Sequence, residues 1–135
     1  MMKKSGWRGY VTSRENGGNF VPQRVQNLVI RNYCEKNEKA FLLSPVEFYM
    51  DECFMMLNAL LETEINSVEA IVFYSTHLLP QSREERMKLY QRMIEANCEL
   101  RFALEEFVIK TWEDAEKMED ILLVRNLSSQ VDLVI

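Results

Sequence analysis

The chain is poor in residues that break or cross-link structure. Its 135 residues include three prolines and four glycines, which argues against a long disordered linker. The three cysteines, Cys34, Cys53 and Cys98, are odd in number, widely spaced and form no C-x-x-C pair. With a single histidine, His77, they do not complete a typical zinc set. The expectation is reduced thiols, a cytoplasmic setting, no metal and no cofactor. Cys98 precedes a strand and is the one candidate for a reactive thiol, but no base stands near it in the sequence. No segment reaches the roughly 18 consecutive apolar residues that cross a bilayer. The opening MMKKSGW has lysines with no apolar run behind them, unlike a secretory leader.

What is present is an ordinary globular composition, 47% apolar and 27% charged. A chain of this length buries roughly two thirds of its unfolded surface and needs no disulfide or structural metal. The net charge is −5, and basic residues are spread among acids, as in REERMK and EDAEKMED. That argues against a nucleic-acid partner, which calls for a basic patch.

Along the chain, strand-like and helix-like units alternate. WRGYVTS (7–13) is a strand ending in hydroxyls, followed by the glycine-bearing loop RENGGNFV. Pro22 then opens a helix, where its missing N–H costs nothing, and Val25, Leu28, Val29 and Tyr33 recur at helical spacing. AFLLS (40–44) is a second short strand. Residues 51–62 form a second helix with Phe54, Leu57 and Leu61 on one face, broadened by Met55, Met56 and Leu60.

The third strand, 69–75, carries AIVFY with no polar alternation, the pattern of a parallel strand covered on both faces. Ser82 to Glu85 reads as a capping box, and the helix behind it turns Met87, Tyr90 and Ile94 inward. A fourth strand covers 99–104. Thr111 and Asp114 mark another helix start, with Ala115, Met118 and Leu122 inward. ILLV (121–124) fits either the end of that helix or a fifth strand. The reading is one α/β domain over 1–127, doubly wound, with a mostly parallel sheet of four or five strands. A tail, 128–135, follows and is apolar at its end.

Ligands of such sheets sit beyond the carboxyl ends of the strands, where strand order reverses. If the first strand pairs with the third, their ends share a crevice. The first ends in Thr12, Ser13 and Arg14, and the third in Ser75, Thr76 and His77. Ser44 and Glu47 follow the second, and Glu105 and Glu106 the fourth. Ser13 and Arg14, a Gly17-Gly18 loop and a helix N-terminus suit an anion. The loop is neither a Walker loop nor a G-x-G-x-x-G fingerprint. Ser13, Arg14 and Arg24 are the expected anion contacts, and Ser75 and Thr76 the expected hydroxyl contacts of a substrate. His77 and Glu105 are the acid–base candidates, with Ser13 the candidate nucleophile. Ser75, Thr76 and His77 equally suit a turn in which they bond free backbone groups.

Two resemblances add to this. RGYVTSR, VPQRVQNLVIRNYC and FYSTHLLPQSREER, in that order, resemble the catalytic domain of serine recombinases, the resolvase-like fold. That resemblance places Ser13 at the nucleophile position. It also implies an Asp-Arg-Leu-Gly-Arg motif after the third strand, where this chain has Thr76-His77-Leu78-Leu79-Pro80. Both arginines and the acid are missing, the arginine before the serine is displaced to Arg14, and an appended DNA-binding domain is not expected. DNA cleavage is therefore not expected, because phosphoryl transfer rests on positioned cations. Over nearly the whole chain, to about Leu127, the sequence resembles the sporadic carbohydrate cluster proteins, through the same stretches and ALEEFVIKTWEDAEKMEDILLV. That resemblance implies a place in surface-polysaccharide or nucleotide-sugar biosynthesis without specifying a reaction.

The leading expectation is a cytoplasmic protein that binds or transforms an anionic sugar or nucleotide-sugar intermediate. The first alternative is a non-catalytic interaction or scaffold module for another enzyme of that pathway. The second is a diverged recombinase-like DNA-binding domain. A homo-oligomer is compatible with the apolar content.

Overall fold

The computed structural model describes residues 3–13, 20–47 and 54–134, the last six through their backbone alone. β1 (Trp7–Thr12) is followed by α1 (Gln23–Lys36), β2 (Phe41–Leu42), β3 (Val46–Glu47) and α2 (Met55–Thr63). Then come β4 (Ala70–Phe73), a 3-10 turn (Thr76–Leu78), α3 (Arg83–Glu95), β5 (Glu99–Phe102), β6 (Phe107–Ile109) and α4 (Trp112–Val134). The sheet order is β2-β1-β4-β5-β6, with β3 also on β1. Every pairing is parallel except β5 with β6. This is the doubly wound α/β fold expected, with β1 beside β4 in the register Trp7↔Ala70 to Tyr10↔Phe73.

β4 is buried on both faces, as its unbroken apolar run implies. Around it Tyr10, Phe73 and Phe102 stack as adjacent rings, 4.7 and 5.6 Å between centroids. Packed aromatic pairs of this kind add stability beyond the area they bury.

Three details differ from the sequence reading, the second strand, β6 and the buried face of α1, and the open choice at 121–124 is decided. The second strand is split: β1 advances three residues from Arg8 to Val11 while its partner advances four, from Leu42 to Val46. The extra residue makes a bulge at Leu43–Pro45, on an edge where a proline removes no ladder bond. A sixth strand, β6, turns back on β5, because the chain reverses over residues 103–106 with Glu106 at φ 56°. ILLV at 121–124 is helical, inside α4, whose backbone stays helical through Val134. On α1 the buried face is Gln26, Ile30, Tyr33 and Cys34, while Val25 and Leu28 are exposed. The second helix begins at Met55, and the expected start at 51 lies outside the described residues.

Candidate functional site

The carboxyl ends of β1 and β4 lie side by side, since the register that pairs Tyr10 with Phe73 carries Thr12 toward Ser75. The tip of β1 is fixed by a buried side chain. Gln26 on α1 accepts from the Thr12 N–H at 3.2 Å through Oε1. Its Nε2 donates to the Thr12 carbonyl at 2.7 Å and to the Val21 carbonyl at 2.8 Å. One amide thus acts as a strand neighbour for Thr12 and holds the half-buried Ser13 at the sheet edge.

The tip of β4 is organised by a carboxylate. β5 continues past its end along β4, with Ala103 N–H donating to Phe73 O and Leu104 N–H to Tyr74 O, each at 2.9 Å. The turn that follows therefore hangs over Ser75 and brings Glu105 down on it. Ser75 Oγ and Thr76 Oγ1 donate to Glu105 Oε2 at 2.8 and 2.9 Å. The Thr76 N–H donates to Glu105 Oε1 at 3.1 Å. Ser75 is fully buried and caps the 3-10 turn by accepting from the His77 N–H at 3.2 Å.

Arg125 completes the cluster. Its Nη2 donates to Thr76 Oγ1 at 2.7 Å, and its Nη1 lies 3.3 Å from His77 Nδ1. A guanidinium only donates, so Nδ1 is the acceptor and the neutral ring carries its proton on Nε2. Burial, and then the positive charge of Arg125, hold the His77 imidazole below its ordinary 6.5, while Glu105 pulls the other way.

The position of Arg125 is set elsewhere on α4. Glu119, six residues earlier, takes Arg86 Nε and Nη2 at 2.8 Å each and the Tyr90 hydroxyl at 2.7 Å. Burial raises the Glu119 carboxyl and the bonds from Arg86 and Tyr90 outweigh it, so its pKa falls. Arg86 Nη1 also donates to the Pro80 and Gln81 carbonyls, at 3.1 and 2.7 Å. The clamp ties α3, α4 and the segment after the 3-10 turn into one unit.

The structure thus brings Ser75, Thr76, His77 and Glu105 into one hydrogen-bonded network. It places Ser13 on the neighbouring strand end and Arg24 exposed in the first turn of α1. Arg14 and the Gly17-Gly18 loop lie outside the described residues. Arg125 was not foreseen, because nothing in the sequence says how far α4 runs past the sheet edge. Buried Glu47, at the tip of β3, binds the Tyr10 hydroxyl at 2.8 Å and the Met56 and Leu57 N–H groups at the start of α2. Its role there is that of a helix cap. Cys34 and Cys98 are buried thiols pushed up to about 11, chiefly by burial. Cys98 is thus unsuited to nucleophilic work. Among the described residues no group of three or more His, Cys, Asp or Glu stands in metal-ligand array. No helix there is long and apolar enough to cross a membrane.

Two solved structures share this architecture. A resolvase-family site-specific recombinase from Streptococcus pneumoniae aligns with a TM-score of 0.67 at 9% identity, over 98% of this chain and 94% of that one. The N-terminal catalytic domain of TP901-1 integrase gives 0.62 at 9% identity, over 92% and 98%. The fold is therefore resolvase-like, and at such identity the likeness is one of fold. No family model matches the chain, and no curated protein does.

Proposed function

We propose that this chain is a diverged recombinase-like domain that binds a phosphodiester backbone at the carboxyl end of its sheet without cleaving it. The observation that carries this reading is Arg125, held at the tip of β4 by Thr76 and His77. Two of its N–H groups are used there, and the remaining donors suit a phosphate. The exposed Arg24 and the hydroxyl of Ser13 flank the same edge. The overall acidity works against a nucleic-acid partner. The proposal rests on local charge instead, since α1 carries the exposed Arg24 and Arg31 against one acid, Glu35, its Lys36 being paired with Glu106.

The absence of cleavage follows from what replaces the cations that phosphoryl transfer needs. Leu78 and Leu79 follow His77 and pack into the core at 2% and 6% exposure. In the recombinase resemblance they fall at the motif's leucine and glycine, while its two arginines fall at His77 and Pro80, so no guanidinium stands at either position. His77 and Glu105 then organise the binding edge, and Ser13 is a phosphate contact rather than a nucleophile.

The second reading is a sugar phosphate or nucleotide-sugar ligand at the same edge, with Ser75 and Thr76 near its hydroxyls. Its support is the sequence resemblance to sporadic carbohydrate cluster proteins, and it carries the cytoplasmic setting and a partner enzyme of that pathway with it. Fluorescence anisotropy with labelled duplex and single-stranded DNA at low salt tests the first reading. Binding should weaken steeply as salt rises, with a slope shallower by about one in Arg125→Ala. No binding at low salt removes the first reading. Calorimetric heat with sugar phosphates or nucleotide sugars, lost in Arg125→Ala, would then establish the second.

A further inference from the structure

The bulge at Leu43–Pro45 leaves a cleft between the sheet edge and α2. It holds a cavity of about 290 Å³, at the small end of the range for small-molecule sites. Hydrocarbon walls it, from Leu43 and Pro45 of the bulge and from Met56, Ala59 and Leu60 of α2. Leu43 is 73% exposed, so the hydrocarbon on the bulge side has no cover of its own.

Two charged side chains join this lining, Arg8 of β1 and Glu64 at the end of α2. Arg8 Nε and Nη2 both donate to Glu64 Oε1, at 3.0 and 2.6 Å, and Nη1 donates to the Leu43 carbonyl at 2.8 Å. A guanidinium has five N–H groups, so one remains on each of Nη1 and Nη2. Glu64 Oε2 has no partner among the described residues. Both side chains are mostly buried, at 23% and 29% exposure, and their mutual bonds hold them in place. Ser44 lines the cavity too, and its buried hydroxyl has no hydrogen-bond partner. Buried polar groups are ordinarily partnered.

We infer that this cavity binds a free α-amino acid with an apolar side chain, the size of leucine or methionine. The spare N–H groups of Arg8 take its carboxylate and Glu64 Oε2 takes its ammonium. Those two ligand groups sit on one carbon, as their receptors sit 2.6 Å apart. The side chain then covers Leu43, Met56 and Leu60. The ion pair selects the class. A simple carboxylate gains Arg8 but meets the like charge of Glu64, and a simple amine meets Arg8. Only a ligand carrying both signs gains from both.

The site is independent of the ligand reading above, since Arg8 lies about 13 Å back along β1 from Thr12. NMR titration of the full chain with leucine is the test, alongside isocaproate, which lacks the ammonium, and leucinamide, which lacks the carboxylate. Leucine should bind saturably, and each analogue should bind roughly tenfold weaker or worse. Ala59→Phe, at an exposed helix position, fills the cleft and should abolish binding. Glu64→Gln keeps a hydrogen-bonding partner for Arg8 and removes the negative charge. It should reverse the order, so that isocaproate binds better than leucine. Circular dichroism confirms that each variant is folded. No saturable binding of leucine, methionine or phenylalanine at millimolar concentration overturns the inference. So does isocaproate binding as tightly as leucine to the wild-type chain, or leucine binding unchanged in folded Ala59→Phe.

Discussion

Arg125 donates to the Thr76 hydroxyl across 2.7 Å, joining residues 49 positions apart. The bond makes the last helix part of the edge where β4 ends. Thr76 is the pivot, because its hydroxyl donates to Glu105 while accepting from Arg125. A carboxylate and a guanidinium thus sit on either side of one hydroxyl, and the neighbouring imidazole feels both.

That arrangement sets the titration of His77. The lone histidine gives a single proton NMR titration curve, and its midpoint should fall below 6.5. Arg125→Leu should move it up, by removing a positive charge that opposes protonation. Glu105→Gln should move it further down, by removing the negative charge that favours it. A wild-type midpoint above 6.5 would contradict the geometry at Nδ1.

The same shift gives a pH-dependent stability. Between the folded-state value and 6.5 the unfolded chain binds the proton more tightly, so stability rises with pH there. The contribution is complete above about 6.5 and is lost as pH falls through the folded-state value. Urea midpoints measured down through this window should decline for the wild-type chain and decline less for His77→Gln.

Gln26→Ala should be among the costliest single changes. It strips partners from the N–H and carbonyl of buried Thr12 and from the carbonyl of Val21. A buried hydrogen bond contributes about 0.5–1.5 kcal/mol, so losing three should cost about 2–4 kcal/mol in denaturant unfolding. A loss under about 1 kcal/mol would mean that the tip of β1 has other support.

Gly9 and Ser44 form a coupled pair. A Cβ on Gly9 would collide with Ser44 Oγ and come within 3.0 Å of the Phe41 ring. Gly9→Ala should destabilise by about 1–3 kcal/mol. Ser44→Ala should relieve part of that in the double variant. Alone it should be close to neutral, because the Ser44 hydroxyl is buried with no hydrogen-bond partner. Additive unfolding energies for the two changes would rule out the collision.

Cys34 and Cys98 should resist a thiol reagent at neutral pH in the folded protein and react once it is unfolded, since burial holds both thiols up at about 11. Rapid native labelling of Cys98, mapped by mass spectrometry, would reopen the case for a reactive cysteine.

Much of the fold was legible in local pattern. AIVFY declared a strand covered on both faces, and β4 is that strand. Thr111 and Asp114 declared a helix start, and the Thr111 hydroxyl and Asp114 carboxylate cap it reciprocally through each other's N–H groups. β6 was not legible, because three residues after a tight turn carry too little periodicity. Nor was the inward face of α1. Its sequence points Val25 and Leu28 inward, but burying Gln26 lets its amide bond the backbone of Thr12 and Val21, and that need is invisible along the chain.

The sequence by itself determined the alternation of strands and helices, and hence a parallel sheet with polar residues at the strand ends, because those patterns arise from contacts a few residues apart. Only the tertiary structure decided which of those ends meet, that Glu105 turns down onto Ser75 and Thr76, and that Arg125 reaches them from the last helix. Those contacts join residues 29 to 49 positions apart. They depend on the length of α4, its clamp to α3 and the turn after β5, and no local pattern carries that information.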